Sequence, residues 1–232
     1  MGRRGMGAIM TSMAIERETY IQKAYAAVRR MIIDGDLPPG AKVVVRPLAE
    51  SLGLSPTPIK AALAALERDG FLVAQAHRGY FVPTTGAQDM REIYELREVL
   101  EGIAARKIAE REDRAPIVGD LWGWFEKQSA RAELEDTAGY SEINVAFHQA
   151  IWQAAGNARL AHVAENLQGQ LRLATGASSR SPGRMRCAMN EHRAIIEAIE
   201  QGDPQAAEAE SRAHVRTSAQ AYLAAQAVPA GD

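Results

Sequence analysis

This sequence predicts a mainly α-helical chain in two parts: a small N-terminal domain carrying a short β-hairpin, and a larger bundle built of helices alone. Three observations predict it. Between residues 47 and 82, two helix-like segments flank a glycine turn and lead into two short apolar strands. From residue 89 onward the segments open and close with helix signals. The charge divides at nearly the same place: residues 1–85 hold 11 Lys/Arg against 7 Asp/Glu, and the remainder 16 against 22. A positive domain is drawn to phosphates and a negative one is not. With 232 residues, 47% of them hydrophobic, the chain can fill two modest cores. No apolar run approaches the roughly 20 residues that span a bilayer. The single cysteine, Cys187, excludes an internal disulfide and fits a reducing, cytoplasmic setting.

The elements follow in order. Residues 1–15 are basic and Met-rich but lack the apolar core of a signal peptide, so a disordered lead-in is expected, with Met10 or Met13 as alternative starts. Residues 16–34 give a helix with Tyr20, Ile21, Ala24, Val28, Met31 and Ile32 on one face. Asp34-Gly35-Asp36 stops it, Leu37-Pro-Pro-Gly40 turns, and residues 41–45 (AKVVV) form a short extended segment. Pro47–Leu52 is a short helix and Gly53-Leu54-Ser55 a tight turn. Ser55 can cap the next helix, with Pro56 at its first position, where a missing N–H is no loss. Ile59, Leu63 and Leu66 form its apolar stripe, Thr57, Lys60, Glu67 and Arg68 its polar face, and Gly70 ends it. Phe71–Val73 and Tyr80–Val82 flank a polar turn containing His77, Arg78 and Gly79, a hairpin or wing. Residues 16–82 thus have the layout of a winged helix-turn-helix, whose second helix enters the major groove. A helical hairpin packed for stability alone would share the helices but not the wing. Residues 83–88 make a linker.

Residues 89–228 read as a helical bundle. The first helix runs from Asp89 to about Glu112. The second starts at Pro116, reaches about Asp136 and carries Trp122, Trp124 and Phe125. The third spans about Ala138 to Ala155, and the fourth ends near Ala174. After a loop at Gly176–Ser181, Ser181-Pro182 opens a fifth helix that ends at Gly202, and Asp203-Pro204 opens the last, to about Ala227. Such bundles leave pockets between helices. Three of the five histidines, His148, His192 and His214, fall on three of these helices among apolar positions. Converging, they could bind a divalent metal such as Zn or Ni; singly, each would be an ordinary hydrogen-bonded core histidine. His162 reads as surface. Arg97 lies close to an apolar stripe, one turn after Tyr94, and needs a carboxylate if buried. That carboxylate is Glu101 at i+4 or a bound ligand's. Arg172, on the fourth helix, is a second candidate.

The stretch LPPGAKVVVRPLAESLGLSPTPIKAALAALERDGFL, followed by HRGYFV, resembles the winged helix-turn-helix of the GntR family of bacterial transcription regulators. In the second half, YELREVLEGIAARKIAE, FHQAIWQAAGN and EHRAIIEAIEQGDPQAAEAESRAHV resemble the FCD ligand-binding domain of its FadR-like subfamily. The resemblance covers about residues 16–225. It implies a homodimer on a palindromic double-stranded operator, most often a repressor, released by a small carboxylate effector bound in the helical domain. It places DNA contacts at Arg46, Ser55, Thr57, Lys60, His77, Arg78 and Gly79. It also implies a metal held by His148, His192 and His214, with position 144 as a fourth ligand, and an effector beside it, near Arg97 and Arg172. Three departures stand out. The family's usual Arg is Pro56 here, and Lys60 replaces a common Arg, a point charge where a bidentate fork is typical; together these imply an unusual operator or lower affinity. The family's usual Asp ligand is Asn144, a neutral and weaker donor. The alternative is a metal-dependent helical-bundle enzyme with a small appended domain. Against it, no general base, phosphate loop or nucleophile elbow is apparent.

Overall fold

The computed structural model describes residues 19–175 and 182–227. The expected lead-in, the start of the first helix before residue 19, and the 176–181 loop with its Ser181 cap lie outside the described residues.

Helix α1 (Tyr20–Asp34) opens with a capping box. The Gln22 backbone N–H donates to Thr19 Oγ1 at 3.2 Å, and the Thr19 N–H donates to Gln22 Oε1 at 2.7 Å. Its buried stripe is Ala24, Val28 and Ile32. Tyr20 and Ile21, expected on that face, are 68% and 46% exposed, because few of the described residues pack on the first turn. Strand β1 (Lys42–Val43) is shorter than the expected extended segment, since helix α2 (Val45–Leu52) starts two residues before Pro47. Proline is tolerated there because the first turn's N–H groups have no intrahelical partner. Gly53 then turns the chain in the left-handed conformation, and α3 (Pro56–Arg68) follows with Pro56 in its first turn.

The wing strands β2 (Val73–Gln75) and β3 (Gly79–Phe81) pair antiparallel, and β1 joins on the other side of β3 in the order β1-β3-β2. Phe71 and Leu72, expected in the first wing strand, precede it. They plug the head's core with Ile59, Leu63, Leu66 and Val82. Leu63 is fully buried there, so Leu63→Ala is expected to cost about 2–5 kcal/mol, read as a lower denaturation midpoint.

The bundle comprises α4 (Ala87–Ala109), α5 (Ala115–Glu133), α6 (Thr137–Ala154), α7 (Ala158–Thr175), α8 (Pro182–Gln201) and α9 (Pro204–Ala227). Helix α4 starts two residues before Asp89, because Asp89 serves as an internal cap: its Oδ2 accepts from the Gly86 N–H at 2.7 Å. Trp152, Phe147, Ile108, Leu121, Ile151 and Ile195 form the bundle's best-buried core. No described helix is long and apolar enough to cross a membrane.

Head and bundle meet along α7. Arg29 Nη2 donates to the Glu165 carbonyl at 3.1 Å, and Gln170 Nε2 to the Asp69 carbonyl at 2.9 Å. Leu173 packs against the head's core. Gly169 permits the approach: a Cβ there would stand 2.5 Å from the Phe71 ring and 2.7 Å from Arg29 Nη2.

Candidate functional site

On the head, Arg46, Ser55, Thr57, Lys60, His77, Arg78 and Gly79 are all exposed. Ser55 occupies the N-cap position of α3 with φ −71° and ψ 160°, yet its hydroxyl makes no capping hydrogen bond. Thr57 and Lys60 lie on the first turns of the same helix. Arg46 Nε pairs with Glu50 Oε1 at 3.0 Å, a solvent-exposed pair of little energetic weight. In the wing turn, His77 and Gly79 both take positive φ, 61° and 98°. Nothing in the sequence singled out His77 for that strained conformation. The Arg78 guanidinium lies 5.4 Å from the Phe81 ring centroid.

In the bundle, α6, α8 and α9 bring His148, His192 and His214 together, all buried. One ring nitrogen from each lies within 4.8 Å of the others. Ring centroids are 5.3 Å apart for His148–His192, 5.1 Å for His148–His214 and 4.6 Å for His192–His214. Each Nδ1 faces an acceptor from elsewhere in the fold. His192 Nδ1 lies 2.9 Å from Gln128 Oε1 on α5, and His214 Nδ1 2.6 Å from Glu191 Oε2 on α8. His148 Nδ1 lies 2.7 Å from Glu101 Oε2, close enough for an ion pair but off the line of a well-directed hydrogen bond. Outer acceptors of this kind fix the tautomer and leave Nε2 as the ligating atom. His192 Nε2 is indeed buried with no hydrogen-bond partner among the described residues. Burial, with His214, His148 and Arg184 nearby, holds His192 well below its ordinary pKa. Burial also lowers His214, against the opposing pull of Glu191. Neutral imidazoles are the form a metal takes. The residues therefore fit a divalent ion such as Zn or Ni.

The partners are anchored in turn. Arg97 on α4 gives Glu101 Oε1 two hydrogen bonds, 3.1 Å from Nε and 2.6 Å from Nη2, and both residues are buried. Arg97 thus finds its carboxylate one turn along its own helix. Burial pushes the Glu101 carboxyl up, but His148 and Arg97 together pull it further down, below the usual carboxylate range. Arg184 grips Glu191 with two bonds of 2.9 and 2.8 Å and also donates to Ser218 Oγ at 2.7 Å. Asn144, at i−4 from His148, accepts from Gln128 Nε2 at 3.0 Å. His162 is exposed, beside Asn166.

A cavity of about 660 Å³ opens beside this cluster. His148 and His214 line it with Asn144, Arg97 and Arg172, while His192 stands behind. Tyr140 and Gln168 line it too, and Tyr140 Oη and Gln168 Oε1 are buried without hydrogen-bond partners among the described residues. Burial raises the Tyr140 phenol, keeping it an O–H donor. The opposite wall comes from the head: Ile32, Ile33, Asp34, Gly35 and Pro39, at the end of α1 and just beyond. Sequence periodicity could not find Gln128 or Glu191, because each acts on a histidine of another helix, nor Tyr140 or Gln168, because their place on the cavity wall is set by how the helices pack.

Two family models match. Residues 20–82 match "Bacterial regulatory proteins, gntR family" and residues 92–217 match "FCD domain". The probable D-xylose utilization operon transcriptional repressor of Paenarthrobacter nicotinovorans is 32% identical over 94% of this chain and 93% of its own length. An uncharacterized HTH-type transcriptional regulator of Bacillus subtilis, YdhC, is 27% identical over 84% of this chain and 87% of its own. Among solved structures, E. coli McbR/YncC superposes with a TM-score of 0.72 over 90% of this chain and 98% of its own, at 22% identity, which speaks for the fold alone. These matches overturn the enzyme alternative. The chain belongs to the GntR family, a DNA-binding transcription regulator with a C-terminal FCD domain.

Proposed function

We propose that this protein is a repressor that binds a palindromic operator as a homodimer and is released by a small organic acid. The effector sits in the interdomain cavity, beside a divalent metal held by His148, His192 and His214. The observation that carries this reading is the shared cavity: one wall holds two of the histidines, the other belongs to the DNA-binding head. A ligand filling it touches both parts. Effector and operator then oppose each other through one coupling free energy, acting reciprocally. Tyr140 and Gln168 supply a hydroxyl and a carbonyl for hydroxyl groups of the ligand, and Arg172 supplies positive charge for its carboxylate; Arg97, its charge already met by Glu101, contributes to the wall but no free charge. A repressor role is in keeping with the name of the Paenarthrobacter relative.

The dimer has a candidate surface. Leu96, Val99 and Ile103 are exposed along α4 at spacings of three and four, a strip that a second copy can cover. In the head, Thr57 and Ser55 approach phosphate near the N-terminus of α3, Lys60 pairs with phosphate, and Arg46 reaches a phosphate or base edge. His77 and Arg78 reach the minor groove, and Gly79 lets the wing backbone come close. Lys60→Ala is expected to weaken binding about evenly across sequences and lower the salt slope by about one.

The test is selection of an operator from random duplexes, followed by operator titrations with and without organic acids in the presence of zinc. An effector that lowers operator affinity at least tenfold is the expected result. An acid that saturates the protein and leaves operator affinity unchanged refutes the reading. Gly169→Ala supplies an independent check on the route. It should leave the two separate affinities within a few-fold but shrink their mutual effect, because the added methyl pushes α7 off Phe71 and Arg29.

A further inference from the structure

His192, Gln128 and Asn144 form a continuous chain from the buried interior to the cavity wall. Gln128 is fully buried, so both ends of its amide must be satisfied within the protein. One end meets His192 Nδ1 at 2.9 Å and the other meets Asn144 Oδ1 at 3.0 Å. Amide and imidazole polarity follow from the network as a whole. Only two polarities are consistent. In the first, His192 Nδ1–H donates to Gln128 Oε1, Gln128 Nε2–H donates to Asn144 Oδ1, and the Asn144 NH2 is left for the cavity. In the second every bond is reversed: His192 carries its proton on Nε2, and Asn144 turns its carbonyl outward. A metal on His192 Nε2 needs a lone pair there and so selects the first. Among the described residues nothing accepts from Asn144 Nδ2.

We infer that Asn144 is an anion-binding residue rather than a metal ligand: with the metal in place, its amide N–H2 is turned into the cavity to donate to a carboxylate oxygen of the effector. This rests on the metal-and-effector reading above. The replacement of Asp by Asn then has a direct chemical meaning. Aspartate can only accept, so it would fix the relay in the first polarity and present a negative oxygen to the cavity. Asparagine keeps the relay intact and presents a donor. The relay also links the two ligands: metal binding fixes the polarity that a carboxylate requires, and loss of metal frees the polarity that repels it. Gln128 is the positioning residue of this device, since it touches neither ligand.

The experiment uses the full chain, purified without a histidine tag and labelled with 15N, in metal-stripped and zinc-loaded forms. Acetate is the carboxylate probe. In the zinc form, His192 should show a protonated Nδ1, and acetate should shift the Asn144 side-chain N–H2 signals. The metal-stripped form should bind acetate at least tenfold more weakly. Asn144→Asp should hold zinc at least tenfold more tightly yet bind acetate at least tenfold more weakly, opposite signs from one substitution. Asn144→Ala should keep zinc affinity within about threefold and lose the acetate response. The inference is overturned if acetate binds the zinc form while the Asn144 N–H2 signals stay still, or if Asn144→Ala loses zinc tenfold or more while retaining acetate. A protein that takes up no zinc, or a zinc form that takes up no acetate, overturns it along with the metal-and-effector reading. Those failures are recognised because they occur before any variant is compared.

Discussion

Glu101→Ala is expected to destabilise the metal-stripped protein by about 3–5 kcal/mol, the cost of leaving a buried charge without its partner. Against a total stability of about 5–15 kcal/mol for a domain, that is a large fraction. The carboxylate is 1% exposed and Arg97, which it neutralises, 5%. Its two oxygens serve different groups: Oε1 takes both Arg97 bonds, and Oε2 faces His148 Nδ1. Alanine would remove both services together. Arg97 would keep a guanidinium in a site that desolvates it, relieved only by water from the cavity it lines. His148 would lose the group that orients its ring, so zinc affinity should also fall, by about 10–100-fold for an outer-shell partner. Urea denaturation with and without zinc measures both effects. The double variant Arg97→Met with Glu101→Leu separates them, because a buried ion pair replaced by apolar groups of similar volume is often near neutral. It should recover most of the stability and none of the metal affinity. A cost below about 1 kcal/mol for Glu101→Ala would mean that the pair is hydrated, and the burial argument would fail.

The parts legible in the sequence were those governed by local periodicity and local stops. Ile59, Leu63 and Leu66 recur at helical spacing, and all three are buried. Pro56, Pro116, Pro182 and Pro204 each fall in the first turn of a helix, as the fixed φ of proline and its missing N–H dictate. Three histidines on three predicted helices could be suspected of meeting because bundles bury such faces together, and the resemblance to FCD domains sharpened that suspicion. What could not be read was any partnership set by packing. Gln128 reaches His192 across 64 positions. Glu191, beside His192 in sequence, turns away from it to His214, since adjacent helical residues face different ways. Gly169 resembles any mid-helix glycine until Phe71 of the head is seen against it. Tyr20 carries the apolar stripe of α1 one turn beyond the point where any of the described residues buries it, and periodicity has no means of reporting that.

Acidification should destabilise the metal-stripped protein by way of His192 and His214. Burial is the first cause of the lowered pKa in both. An unfolded histidine takes up a proton near pH 6.5, whereas these two take it up less readily in the fold. Below that pH the unfolded state therefore binds more protons than the native one, and stability falls as pH falls. Each fully differing histidine contributes a slope of about 1.4 kcal/mol per pH unit. Both therefore lower the stability as pH falls below 6.5, His192 more strongly than His214. The carboxylates of the same network act elsewhere on the scale. Glu101 and Glu191 are held below their ordinary range, so their stabilisation is complete above the unfolded carboxylate value and is lost only at lower pH. The window from 6.5 to 5 thus belongs to the histidines. Zinc moves in the same direction, since each proton taken up removes a ligand. Loading the protein should raise its stability at pH 7 and steepen the loss on acidification. Urea midpoints at pH 7, 6 and 5 test this, with His192→Phe as the control expected to flatten part of the slope. Unchanged stability from pH 7 to 5 in the metal-stripped protein would show that both imidazoles accept protons in the native state. In that case the cluster would be an anion site, with protonated rings binding the effector directly.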